Sequence, residues 1–174
     1  MARLAYAARK SALPAALVVA LCSPFALSKL EQLEDNVLRV YADPLARGLP
    51  TFCAGRTDPE AIVGTRLTSD QCAEINRGTL VEYGLAIAGC VDTAYLTQKR
   101  FIALTLFAVN VGKAAACGSR AVRLISAGQI ELGCAALATG PSGKPVWSSA
   151  GGKYIPGLQR RRQQERDLCL EGAL

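Results

Sequence analysis

The sequence predicts an α+β fold, mainly α-helical, in which a small N-terminal lobe of turns and short strands precedes a larger helical lobe. Three observations carry this. With 174 residues, 51% of them hydrophobic, the chain is long enough for one compact core and too short for two. Helical periodicity vanishes between Ala42 and Arg66, where Pro44, Gly48, Pro50, Gly55, Pro59 and Gly64 punctuate the chain. Beyond Thr68 it returns in long apolar segments.

Taken in order, residues 11–28 hold no charge, while Arg3, Arg9 and Lys10 precede them. A basic end before a weakly apolar stretch is the pattern of an export signal. We therefore divide the chain into a leader, 1–28, and a folded unit, 29–174. Ala26-Leu27-Ser28 offers small residues for a cleavage site, but the reading adopted is an uncleaved segment that enters the membrane and later leaves it. Residues 29–41 fit an amphipathic helix, with Leu30, Leu33, Val37, Leu38, Val40 and Tyr41 on one arc at ~100° per residue. Glu34 is the one charge inside that arc. Thr68-Ser69-Asp70-Gln71 is a capping box that opens the next helix. Further helices are expected over 97–111, stopped by Gly112, over 119–127, stopped by Gly128, and over 157–170. Phe101 and Phe107 are assigned to the core, Trp147 to a packing anchor, and Arg160-Arg161-Arg162 to a solvated face suited to an anionic wall.

Seven cysteines with neither histidine nor a C-x-x-C pair point to disulfides in an oxidising compartment and away from zinc. Setting Cys22 aside with the leader, six remain, and fifteen pairings are open. Neighbour pairing is the expectation: Cys53 with Cys72, Cys90 with Cys117, Cys134 with Cys169. The formal net charge is +6, and beyond the leader 17 bases face 14 acids. This modest excess suits an anionic surface and, without a groove-reading motif, argues against nucleic acid.

A glutamate amid leucines is costly as an anion, so its pKa is expected to be raised, as a general acid requires. Glycoside hydrolysis pairs such an acid with a second carboxylate that stays ionised. Asp43, in the turn beside Pro44, is the natural partner. Read from the residues alone, the ordinary roles lead: Glu34 as a helix-edge residue in an ion pair and Asp43 as a turn or cap aspartate.

The run Glu34-Asp35-Asn36-Val37-Leu38-Arg39-Val40-Tyr41-Ala42-Asp43-Pro44, followed by Gly48-Leu49-Pro50-Thr51-Phe52-Cys53-Ala54-Gly55-Arg56-Thr57, resembles the start of the phage-type lysozymes. The likeness continues through Asn110-Val111-Gly112, Trp147, Ala150-Gly151-Gly152-Lys153 and Leu168-Cys169-Leu170. It implies a lysozyme-like fold with two lobes flanking a cleft, and a catalytic set of Glu34 as acid, Asp43 as base or stabilising carboxylate, and Thr51 as the holder of the attacking water. The implied activity is that of an endolysin, an N-acetylmuramidase cleaving the β-1,4 bond between N-acetylmuramic acid and N-acetylglucosamine in peptidoglycan for host lysis, with no cofactor or metal and as a monomer. A lytic transglycosylase and a non-enzymatic cationic wall-binding protein are the alternatives. Asp35 stands where family members commonly carry glycine. Arg56 stands where they carry histidine, and is expected either to offset Asp35 or to hold Asp43 ionised. The turn from Asp43 to Thr51 is about two residues longer than usual.

The leader resembles the signal-anchor-release segments of one branch of these endolysins. That implies export, a stay at the periplasmic face of the host inner membrane through residues 11–28, then release to the periplasm. Cys22 is a candidate thiol for attack on a disulfide of Cys53 after release.

Overall fold

The computed structural model describes residues 13–44 and 46–172, so the basic start of the leader lies outside the described residues. The apolar leader folds as two helices, α1 (Ala15–Cys22) and α2 (Pro24–Leu33), bent by 51° at Ser23. Ser23 makes the bend cheap. Its hydroxyl accepts from the Ala26 amide at 3.2 Å and caps α2, and Pro24 fills the first turn, where no amide donor is needed. Neither helix alone is long and apolar enough to cross a membrane, although the bent pair together passes that test of length and composition. Leu17, Ala20, Leu21, Ala26 and Leu30 are all buried, in one core with Leu80, Phe101, Leu104 and Ile125. The helix α2 runs straight through the expected boundary at residue 28.

The helix expected over 29–41 ends early. Glu34 is its C-cap, with extended backbone (φ −120°, ψ 142°), and Asn36–Asp43 form strand β1. The apolar positions did fit a helical arc, but Asp35 and Asn36 are poor helix formers, and Val37, Val40 and Tyr41 prefer strand. Pairing decides the outcome. The strand β1 lies antiparallel to β2 (Leu49–Ala54), with Tyr41 opposite Thr51 and Asp43 opposite Leu49, and β2 continues to β3 (Arg56–Thr57). Gly55 makes the tight return between β2 and β3 at φ 76°, a conformation that other residues adopt only with strain. Val40, Phe52, Cys53 and Cys72 form the small core of this lobe.

The helix α3 (Ser69–Ala88) joins the lobes, and its capping box forms as the sequence predicts, with Thr68 accepting from the Gln71 amide and the Gln71 side chain from the Thr68 amide. Behind it α4 (Gln98–Val111) is the central helix, buried without interruption from Arg100 to Ala108 and ended by Gly112 at φ 88°. Short helices α5 (Lys113–Cys117), α6 (Arg120–Ser126) and α7 (Ile130–Ala135), a hairpin of β4 (Ser149–Ala150) with β5 (Lys153–Tyr154), and α8 (Pro156–Leu170) complete the chain. All three neighbour disulfides form: Cys53–Cys72, Cys90–Cys117 and Cys134–Cys169. Cys22 is free and exposed.

Candidate active site

Glu34 stands at the junction between α2 and β1, and its carboxylate is not set among leucines. It meets Arg161: Nη1 donates to Glu34 Oε1 at 2.6 Å. The same guanidinium donates to the Leu33 carbonyl at 3.2 Å, to the Leu106 carbonyl on α4 at 3.2 Å, and to Glu165 Oε1 at 3.1 Å. One planar fork thus ties the end of α2 to α4 and α8, and fixes one oxygen of Glu34. The expectation of an isolated acid on an apolar face is corrected here, because the helix stops before that face is completed.

The arginine run also reads differently in the fold. Arg161 is 6% exposed and Arg162 fully buried, so only Arg160 keeps the solvated position expected of all three. Glu165, 1% exposed, takes hydrogen bonds from both buried arginines, yet burial outweighs them and pushes its pKa up to about 7. Arg162 lies over the Phe107 ring at 5.1 Å, and Trp147 packs edge-on against that ring at 5.5 Å.

Residues on the sheet complete the arrangement. Paired residues share a face of a sheet, as do alternate residues of a strand, so Tyr41, Asp43 and Thr51 belong to one face. Tyr41 reports on the acids around it. Partial burial, then the charges of Asp43, Asp35 and Glu34 in that order, raise its phenol above 10. All three carboxylates, Asp35 included, thus disfavour the ionised form of Tyr41. Thr51 is 2% exposed, and its hydroxyl donates to the Leu49 carbonyl at 3.1 Å, which leaves its oxygen to act as an acceptor.

Behind the sheet, buried Asn76 of α3 accepts from the Ala54 amide and donates to Glu31 and Asn36, locking α2, β1 and β2 to one another. Arg56 is found neither on Asp35 nor on Asp43; it pairs with Glu82 of α3 at 2.8 Å. Among the described residues no group of three His, Cys, Asp or Glu gathers to hold a metal ion.

The model of the phage lysozyme family matches residues 31–165, which includes every residue just described. The chain belongs to the phage lysozyme family. As a phage lysozyme it is a glycosidase, a peptidoglycan-hydrolysing muramidase. It is 31% identical over 140 residues to the SAR-endolysin of bacteriophage PS119, an alignment covering 80% of this chain and 78% of that one. Its fold superposes on the muramidase domain of SpmX from Asticaccaulis excentricus (TM-score 0.73, 26% identity, 86% of this chain and 97% of that one). It superposes equally on a point mutant of P22 lysozyme (TM-score 0.72, 26% identity, with the same coverage).

Arg161, Glu165 and Asn76 are the members that the sequence reading missed. The α8 pattern did hold a signal: 158, 161, 162, 165, 168 and 169 recur at helical spacing, which marks the two arginines and the glutamate as facing inward with Leu158, Leu168 and Cys169.

Proposed function

We propose that this lysozyme hydrolyses the β-1,4 bond between N-acetylmuramic acid and N-acetylglucosamine with Glu34 as the proton donor, Asp43 as the partner carboxylate and Thr51 beside the attacking water. What supports the assignment is placement: Glu34 caps α2 just before β1, and Asp43 lies at the other end of that strand on the sheet face that it shares with Tyr41 and Thr51. Arg161 engages Oε1 of Glu34, so Oε2 is the oxygen that delivers the proton to the leaving sugar oxygen. Asp43, half-buried at the end of β1, stabilises positive charge on the sugar ring or takes the proton of the incoming water. Thr51, opposite Tyr41, accepts a hydrogen bond from that water.

The leader belongs to the working enzyme. We infer that residues 11–28 enter the host inner membrane during export, hold the protein at its periplasmic face, and come out uncleaved. What supports this is where the leader ends up: Leu17, Ala20, Leu21 and Ala26 fill the main core, and a chain cut after Ser28 lacks them all. Leu33 and Glu34 grip the same guanidinium, so seating α2 seats the acid. Cys22 is exposed and free in the seated leader, whereas Cys53 and Cys72 are buried, so exchange between this thiol and their bond requires the β2–α3 junction to open. If Cys22→Ser lyses cells on an unchanged schedule, that exchange has no role.

Mass analysis of digested peptidoglycan tests the reaction. Hydrolysis leaves reducing muramic acid ends, each carrying the elements of water. Anhydro-muramic ends would show a transglycosylase instead, and intact glycan with cell killing would show a wall-binding or membrane-active protein.

A further inference from the structure

Beside β3 lies a polar surface that includes none of Glu34, Asp43 and Thr51. Ala54, Gly55, Arg56 and Thr57 form one wall of a recess of about 280 Å³, and Thr79, Glu82, Tyr83 and Val109 form the other. It adjoins the reacting centre, since Thr57 is the cross-strand neighbour of Thr51. Its charge is unbalanced. Glu82 is gripped by two cations, Arg56 at 2.8 Å on one side and Lys113 on the other, while the Lys113 ammonium also lies 4.8 Å above the Tyr83 ring. Their hydrogen bonds hold Glu82 below the usual carboxylate range, so it stays an anion and neutralises only one of the two. Arg56 gives Glu82 one of its five N–H donors, and both cations remain partly exposed. Arg56 and Glu82 line the recess and Lys113 reaches Glu82 from just outside that lining, so the three charges gathered at its edge sum to one positive charge. Gly55 leaves the approach clear, with nothing within 4 Å of where a Cβ would sit.

We propose that Arg56 and Lys113, set by Glu82, form an anion subsite that receives a carboxylate of the stem peptide carried on the lactyl group of N-acetylmuramic acid. The proposal rests on the muramidase reading and adds to it the part of the substrate that the sugar-cleaving residues do not touch. Chemistry favours this occupant. Where a stem peptide is attached, the lactyl carboxyl of the muramic acid is masked as an amide and the sugars are neutral, so the free carboxylates are those the peptide carries on a short flexible tether from the ring that sits beside Glu34 and Asp43. A planar guanidinium matches a carboxylate with two parallel hydrogen bonds, and the ammonium adds a second charge without fixing direction.

The test compares two soluble substrates, glycan strands bearing stem peptides and the same strands stripped by an amidase and then capped as methylamides at the lactyl carboxylates that stripping exposes, so that the second substrate carries no carboxylate. For each, kcat/KM is measured on the full-length protein. Wild type is expected to prefer stem-bearing strands by about tenfold, carried by KM, and Arg56→Gln with Lys113→Gln together to bring the ratio of the two constants close to one. Arg56→Lys and Lys113→Arg, which keep the charge, are expected to retain most of the preference even if the neutral variants fold poorly. A wild-type ratio near one, or a preference unchanged in a folded Arg56→Gln/Lys113→Gln protein, overturns the subsite. Wild type that cleaves neither substrate overturns the muramidase reading, and the subsite with it.

Discussion

Arg161 carries more of the site than any other single residue, because four oxygens from α2, α4 and α8 converge on it. Replacing it with glutamine leaves buried Glu165 with Arg162 as its remaining cationic partner and frees Glu34. Breaking a buried pair from one side costs about 3–5 kcal/mol. We expect Arg161→Gln to lower the melting temperature by many degrees, and Arg161→Lys, which keeps the charge without the fork, to recover part of the stability and less of the turnover. Glu165 gives a pH signature. Its folded pKa of about 7 lies above the ordinary 4.5, so the folded state holds its proton to higher pH than the unfolded chain. The stability this contributes is complete below pH 4.5, declines as pH rises towards 7, and is gone above that. Urea titrations of wild type minus Glu165→Gln are expected to show this decline, of about 3 kcal/mol at most. A flat difference would contradict it. At this scale the sequence marks Glu34 as an odd charge and the family resemblance marks Asp43 as its candidate partner, but neither reveals Arg161, whose contact with Glu34 spans 127 residues of chain and rests on a tertiary fold.

The helices α1 and α2 decide whether the leader is an appendage or part of the core. Leu21 sits so close to Gly84 of α3 that a Cβ placed there would come within 2.2 Å of its Cδ1. Gly84→Ala is therefore expected to cost about 1–3 kcal/mol by overpacking, and Leu21→Ala about 2–5 kcal/mol by leaving a cavity. In the double variant the new methyl enters the space that the leucine vacates, so the combined loss measured by chemical denaturation should fall short of the sum. Simple additivity would mean that α1 is not seated on α3. Helix starts and stops at Thr68, Gly112 and Ser119 are legible because caps act within three or four residues. The change from α2 to β1 is not legible, because the same apolar residues satisfy a helical arc and the register with β2 alike, and only pairing with residues 49–54 selects between them.

For the molecule as a whole, three disulfides close loops of 19 to 35 residues, one in the sheet lobe and two in the helical lobe. Loops of this size are worth about 3 kcal/mol each in the chain-entropy account. Cys72→Ser is expected to lower stability by that order, and to loosen the β2–α3 junction beside Thr51 more than the packing of α4 on α8, as hydrogen exchange would show. The two-lobed class was legible from the break in periodicity after Ala42, and the cysteine pairing only as one choice in fifteen. The leader's place in the core was not, since weak hydrophobicity suits a membrane and a protein interior alike. The central claim is that a carboxyl held by Arg161 and its partner on β1 cleave the wall together. The clearing rate of purified peptidoglycan suspensions by wild type, Glu34→Gln and Asp43→Asn tests it most directly. Wild type should clear them, Glu34→Gln should lose at least a hundredfold in rate, and Asp43→Asn should fall well below wild type with its fold intact. Clearing by Glu34→Gln at the wild-type rate would contradict the account.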